Sequence, residues 1–196
     1  MPHVTPAPAG LAALNALPAP EARRELLACC ASAAFADRVA AARPYASADD
    51  LADTAAATVR ALTWPDVLEA LAAHPRIGER KPGTDRESAW SRREQSGTDG
   101  ADARVLAGLA DGNAAYERRF GHVYLICATG LSAEEMLARL TARLGNDEET
   151  ERAVVREELA RITRLRVGKL LGTGPGGAPR GVQRAAGDAG RTGEAR

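Results

Sequence analysis

Aromatic side chains are scarce in this chain, with two tryptophans, three tyrosines and two phenylalanines among 196 residues. Apolar content comes instead from alanine and leucine, which lose little side-chain entropy in a helix, so the composition points to an all-α protein. Cysteine is also sparse. Cys29, Cys30 and Cys127 are an odd number, and two of them are sequence neighbours whose geometry suits a disulfide poorly, so all three are expected to be reduced. The three histidines, His3, His74 and His122, show no ligand spacing and no C-x-x-C occurs, so no metal is expected. There is no Walker loop and no dinucleotide-binding glycine motif, and hence no sign of a bound cofactor. Neither sign of charge is in excess: 26 basic residues match 26 acidic ones, which gives no reason to expect a nucleic-acid or acidic-membrane partner. No apolar run approaches the roughly 20 residues that span a bilayer, and the first residues lack the basic-then-apolar layout of a secretory signal. The expectation is a soluble, cytoplasmic protein.

What is present reads as one helical domain of about eight or nine helices, over residues 11–171, between a flexible segment 1–10 and a disordered tail 172–196. Residues 11–17 carry helical apolar spacing up to Pro18. Residues 21–42 read as one or two helices with Leu26, Leu27, Phe35 and Val39 inward, ended by Arg43-Pro44. Ser47 with Asp50 suggests an N-cap for a helix through Leu51, Val59 and Leu62. A helix over 65–73 should place Val67, Leu68 and Leu71 inside. The stretch 74–86, with two prolines and two glycines, must be a loop. Helices are then expected over 87–95 and 101–120, the second with Val105, Leu106, Leu109 and Tyr116 aligned. Residues 123–128 form a short apolar run that periodicity cannot assign, although helical surroundings argue against an isolated strand. Ser132 and Glu135 form a capping box for a helix to 144, and Asn146 or Asp147 can cap a last long helix through Val155, Leu159, Ile162 and Leu165.

Four stretches could carry chemistry. In His74-Pro75-Arg76-Ile77-Gly78 the histidine closes a helix and proline turns the chain away, so the imidazole is held at a rim. A capping role alone would explain it, yet histidine exchanges protons near neutral pH. In the run 91–97, Ser91 and Glu94 share a helix face beside Gln95, and the plain alternative is a solvated helix end. Residues 113–128 run through a helix break at Gly121 into Tyr124-Leu125-Ile126-Cys127-Ala128, where core packing is the simplest account and burial would leave Cys127 inert. Arg161, Arg164 and Arg166 lie near the end of the last helix, and one turned inward could hold a carboxylate in a bidentate pair.

Taken together, LAAHPRIGER, SAWSRREQSG, NAAYERRFGHVYLICATG and ITRLRVGKLL resemble the 2-oxo-4-hydroxy-4-carboxy-5-ureidoimidazoline (OHCU) decarboxylase family, with residues 11–17 and Arg43-Pro44-Tyr45 similar to its N-terminal L-N-x-L and R-P-F/Y elements. The likeness covers about residues 11–170. Phe35 departs from it, standing where many relatives show tryptophan. The resemblance implies an all-helical carboxy-lyase that converts OHCU to (S)-allantoin without a cofactor, in urate breakdown, as a homodimer. It also implies a catalytic pair, His74 and Glu94, and substrate contacts from Pro75, Ser91, Arg92, Arg93, Gln95, Tyr124, Leu125, Ile126, Cys127, Ala128 and Arg166, with Arg164 close enough to leave the arginine open. Rival readings are a non-catalytic ureide-binding or regulatory protein, a ureide hydrolase, and a purely structural bundle. A hydrolase would want a metal or an activated nucleophile.

Overall fold

The structure, a computed structural model, describes residues 10–79 and 85–173. Most of the expected N-terminal segment and C-terminal tail, and part of the 74–86 loop, lie outside these residues. Among the described residues nine α-helices follow in order: α1 (Leu11–Ala16), α2 (Ala19–Cys29), α3 (Ala33–Ala41), α4 (Ala48–Arg60), α5 (Trp64–Leu71), α6 (Arg86–Glu94), α7 (Ala103–Phe120), α8 (Ala133–Arg143) and α9 (Glu148–Leu171), with a 3-10 turn, Ser96–Thr98, after α6. Among the described residues there is no strand.

Local chemistry accounts for most boundaries. Ser47 accepts from Asp50 N–H, and Ser132 and Glu135 cap α8 reciprocally, both as expected. Asp147 caps α9, while Asn146 turns its amide to Glu151. Asp85 caps α6, and Thr63 with Asp66 forms a further capping box on α5. The two N-terminal sequence elements prove to be partners. Asn15 and Tyr45 exchange side-chain to backbone hydrogen bonds at 2.9 and 3.0 Å, and Arg43 donates to the carbonyls of Leu14 and Leu17 at the end of α1, each at 2.7 Å.

The apolar residues segregate into two cores. The larger lies among α1 to α5 and α9, with Leu14, Leu26, Phe35, Leu51, Val59 and Leu159 fully or almost fully buried. The smaller joins α7 and α8 around Leu109, Tyr116, Met136 and Leu140. Two leucines expected inside are not: Leu68 and Leu106 are each 37 % exposed. On so short a helix as α5, Val67 and Leu71 already face the core and leave Leu68 on the rim.

Residues 123–128 are neither strand nor helix but an extended stretch between the left-handed glycines Gly121 and Gly130. Its backbone is satisfied by side chains: Arg143 donates to the Leu125 carbonyl at 2.7 Å, and the Cys127 N–H donates to Glu158 at 2.7 Å. Alternate residues enter the two cores, Leu125 the larger and Tyr124 and Ile126 the smaller. This stretch is therefore the seam between them.

Candidate active site

α5 ends at Leu71, and His74 follows within one turn. Its Nδ1 lies 3.0 Å from the Ala70 carbonyl. A carbonyl can only accept, so this nitrogen carries hydrogen, and in the neutral imidazole Nε2 is the basic one. The loop beyond is pinned from several directions. Arg76 is turned outward to Glu117 by two bonds of 2.6 and 2.7 Å, and Asn113 of α7 donates to the Ile77 carbonyl at 2.8 Å. Gln95 accepts from Gly78 N–H at 3.0 Å and donates to the Arg76 carbonyl at 3.3 Å. Gly78 has φ +88°, where a side chain would be strained. The imidazole thus sits next to a segment, 76–78, in which each residue is held by a hydrogen bond.

Opposite it, α6 presents Ser91 and Glu94 one turn apart, both buried. Arg166 of α9, 5 % exposed, grips Glu94 with Nε to Oε1 at 3.0 Å and Nη2 to Oε2 at 2.8 Å, and Nη2 also donates to Ser91 Oγ at 3.2 Å. Lys169, one turn further on, places Nζ 3.0 Å from Oε1. Burial works to raise the Glu94 pKa, but the hydrogen bonds and charge of Arg166, followed by those of Lys169, outweigh it and hold the carboxyl below its ordinary range. Glu94 is therefore an anion in a fixed geometry.

His74 and Glu94 line one narrow cleft with an interior of about 20 Å³, room for about one water. Pro75, Ser91, Gln95 and Arg166 share its wall, and the extended seam contributes Tyr124, Leu125, Ile126 and Ala128. The cleft adjoins an outer lobe that shares Pro75, Ser91 and Gln95 and adds Arg92, Glu79 and Asp99. Arg93 and Cys127 are in neither wall. Arg93 is exposed on the far side of α6, and Cys127 is half-buried toward the larger core, its thiol pushed up by burial. The arginine left open by sequence is Arg166, because Arg164 is exposed and paired with Asp53 of α4. His122 packs edge-on to Trp64 and Tyr116, with ring centroids 5.3 and 5.5 Å away.

Sequence reasoning missed Ile77, Thr129, Ile162 and Leu165 in the cleft wall, and Lys169 on Glu94. Lys169 lies three positions after Arg166 and so on the same helix face, a signal that could have found it. Asn113 could have been found as a polar residue among the apolar positions of α7. Among the described residues no group of three or more His, Cys, Asp or Glu could hold a metal ion, and no helix is long and apolar enough to cross a membrane.

A family model for OHCU decarboxylase matches residues 15–168. The chain belongs to the OHCU decarboxylase family. It is 33 % identical over 147 residues to the uric acid degradation bifunctional protein TTL of Arabidopsis thaliana, covering 73 % of this chain but 45 % of that protein. It is also 33 % identical over 131 residues to the 2-oxo-4-hydroxy-4-carboxy-5-ureidoimidazoline decarboxylase of Amia calva, covering 66 % of this chain and 75 % of that one. Among solved structures, an OHCU decarboxylase crystallised in the presence of (S)-allantoin matches with TM-score 0.65 and 32 % identity, over 75 % of this chain and 96 % of that chain. An (S)-allantoin synthase structure shares the fold, with TM-score 0.64 at 20 % identity over 84 % of this chain and 54 % of that chain.

Proposed function

We propose that this OHCU decarboxylase family member converts 2-oxo-4-hydroxy-4-carboxy-5-ureidoimidazoline to (S)-allantoin and CO2 in urate breakdown, and that the cleft between His74 and Glu94 is its active site. One observation carries the proposal: an imidazole with its basic nitrogen defined by the Ala70 carbonyl, and a clamped carboxylate and guanidinium, meet in one narrow cleft that adjoins a lobe of about 330 Å³, the size of a small-molecule site.

The substrate supplies its own electron sink. The carbon that loses CO2 bears a hydroxyl and adjoins a carbon–nitrogen double bond, so the electron pair of the broken C–C bond flows into that imine. The imine nitrogen takes up a proton, the hydroxyl proton then leaves as its oxygen becomes a carbonyl, and the former imine carbon takes up a second proton. Overall, one substrate anion and one proton give neutral allantoin and CO2. The protein's tasks are to hold the ring, exclude water and move protons at fixed positions. His74, through Nε2, exchanges the proton with the hydroxyl oxygen. Glu94, kept ionised, orients that hydroxyl or the ureide N–H groups, and Arg166 holds a ring or ureide oxygen. The rigid seam at Tyr124 to Ala128 forms the opposite wall, so protonation from one face would give one enantiomer.

The proposal includes a cytoplasmic homodimer. The family supports the dimer, and three free thiols suit a reducing compartment; sedimentation velocity and cell fractionation test each. The activity itself is tested by generating OHCU in place from urate with the two preceding enzymes and following optical rotation. Rapid appearance of dextrorotatory allantoin only when this protein is added is the expected result. A protein that gains thermal stability from allantoin yet leaves the rotation at its spontaneous course would instead be a binding module.

A further inference from the structure

The charges around the cleft do not cancel. Glu94 is fully matched by the two-point contact from Arg166, and Lys169 adds a second cation to the same carboxylate from outside the cleft wall, its side chain 18 % exposed. The surplus is local to this end of the cleft: in the outer lobe Arg92 stands beside Asp99 and Glu79, and Glu79 is held by Arg76 at 3.2 Å. The thiols of Cys29 and Cys30, on the far side of Arg166, are pushed up to about 12 by burial and carry no charge at neutral pH. Glu158, the nearest further acid of α9, is turned to the Cys127 N–H and to Arg161. A lysine in the last turn of a helix would normally serve the negative end of the dipole and reach for solvent. This one is directed sideways onto Glu94, which leaves the Glu94, Arg166 and Lys169 group with one positive charge in surplus.

The proposed reaction changes the charge of its ligand by one unit, from a carboxylate-bearing substrate to neutral allantoin. A surplus cation therefore attracts the species that enters and not the species that must leave. We infer that Lys169 is a specificity-determining residue of the decarboxylase, a positioning residue acting through Glu94, whose charge favours occupation of the cleft by the anionic substrate over the neutral product. The inference rests on the decarboxylase reading above.

The test compares the wild-type full chain with Lys169→Gln and Lys169→Arg. KM and kcat for OHCU generated in place, and the inhibition constant of (S)-allantoin, are measured at low and at high salt. Lys169→Gln should raise KM for OHCU roughly tenfold, the scale of one partly screened charge acting across several ångströms. Its kcat should stay within about twofold and its allantoin inhibition constant should be unchanged, on the same charge argument. The salt dependence of kcat/KM should flatten, and Lys169→Arg should restore both. An unchanged KM, a parallel change in KM and in allantoin inhibition, or an arginine variant that fails to restore them overturns the inference while leaving the decarboxylase reading in place. If Lys169→Gln folds poorly, the salt dependence of the wild type and the Lys169→Arg variant decide alone, and a salt-independent wild-type kcat/KM overturns it. A wild-type protein without turnover would overturn the decarboxylase reading, and this inference with it.

Discussion

Replacing Glu94 by glutamine tests the charge geometry of the cleft independently of catalysis. Arg166 is 5 % exposed, and glutamine at position 94 would leave it one amide oxygen and Ser91 Oγ at 3.2 Å in place of a charged partner. Breaking a buried pair on one side costs roughly 3–5 kcal/mol, because the surviving charge stays in a poor dielectric. Lys169 at 18 % exposure can turn to water and should add little. For a domain of this size each kcal/mol shifts Tm by roughly 2–4 °C, so Glu94→Gln should lower it by roughly 6–20 °C. Arg166→Met should cost less, since Glu94 keeps Lys169 at 3.0 Å. The double variant should recover part of the loss, with a coupling of about 1–3 kcal/mol. Circular dichroism melts and urea titrations of the four proteins measure this cycle. The pH dependence has a defined sign. Because the folded-state Glu94 pKa is depressed, its stabilisation is present above the ordinary carboxylate value near 4.3 and is lost as pH falls through the lower folded value. The gap between wild type and Glu94→Gln should therefore be flat at neutral pH and close only below about pH 4. A Glu94→Gln loss no larger than that of Arg166→Met, or a strictly additive double variant, would refute the reasoning.

Three further outcomes follow from the same geometry. His74→Asn should reduce turnover by roughly 10²–10⁴-fold with an unaltered helical spectrum, because the fold loses one helix-end hydrogen bond worth about 1 kcal/mol; a near-normal rate would remove His74 from the mechanism. Gly97→Ala should destabilise by roughly 1–3 kcal/mol or more, because a Cβ there would meet the Leu131 carbonyl oxygen at 1.9 Å; an unchanged urea midpoint would contradict it. In the native state a thiol-reactive chromophore should label Cys127 first, whereas Cys29 and Cys30, buried and pushed up to about 12, should react only on unfolding; equal labelling of all three would show that the α2 end is open.

The fold was legible wherever its cause is local. Periodicity and caps mark the helices, and Ser47, Ser132 and Asp147 each act within three residues of themselves. The extended seam was not legible. Its backbone partners are Arg143 and Glu158, 18 and 31 positions from the groups they bind, and no local pattern encodes such a pairing. The same holds within the site. His74 and Glu94 were suggested by their motifs, but that the carboxylate is gripped by Arg166, 72 positions on, depends on the rotational phase of α9, which the three spaced arginines left open. Leu68 fails for the opposite reason: its type suggests burial, and the short α5 has no second core to bury it in.

α9 explains why so many of these long-range contacts end on one element. Its 24 residues, roughly 36 Å of helix at 1.5 Å per residue, carry the buried polar side chains Glu151, Glu158 and Arg166 among apolar neighbours. Burying such groups unpaired would cost several kcal/mol each, so each must be matched, and each match fixes part of the cleft. Glu151 holds Arg143 at 2.8 Å, and Arg143 holds the Leu125 carbonyl. Glu158 holds the Cys127 N–H, and Arg166 holds Glu94 and Ser91 on α6. The polar stripe that spoils the amphipathic pattern of α9 is thus what ties the seam on one side of the cleft, and the carboxylate on the other, to a single rigid rod.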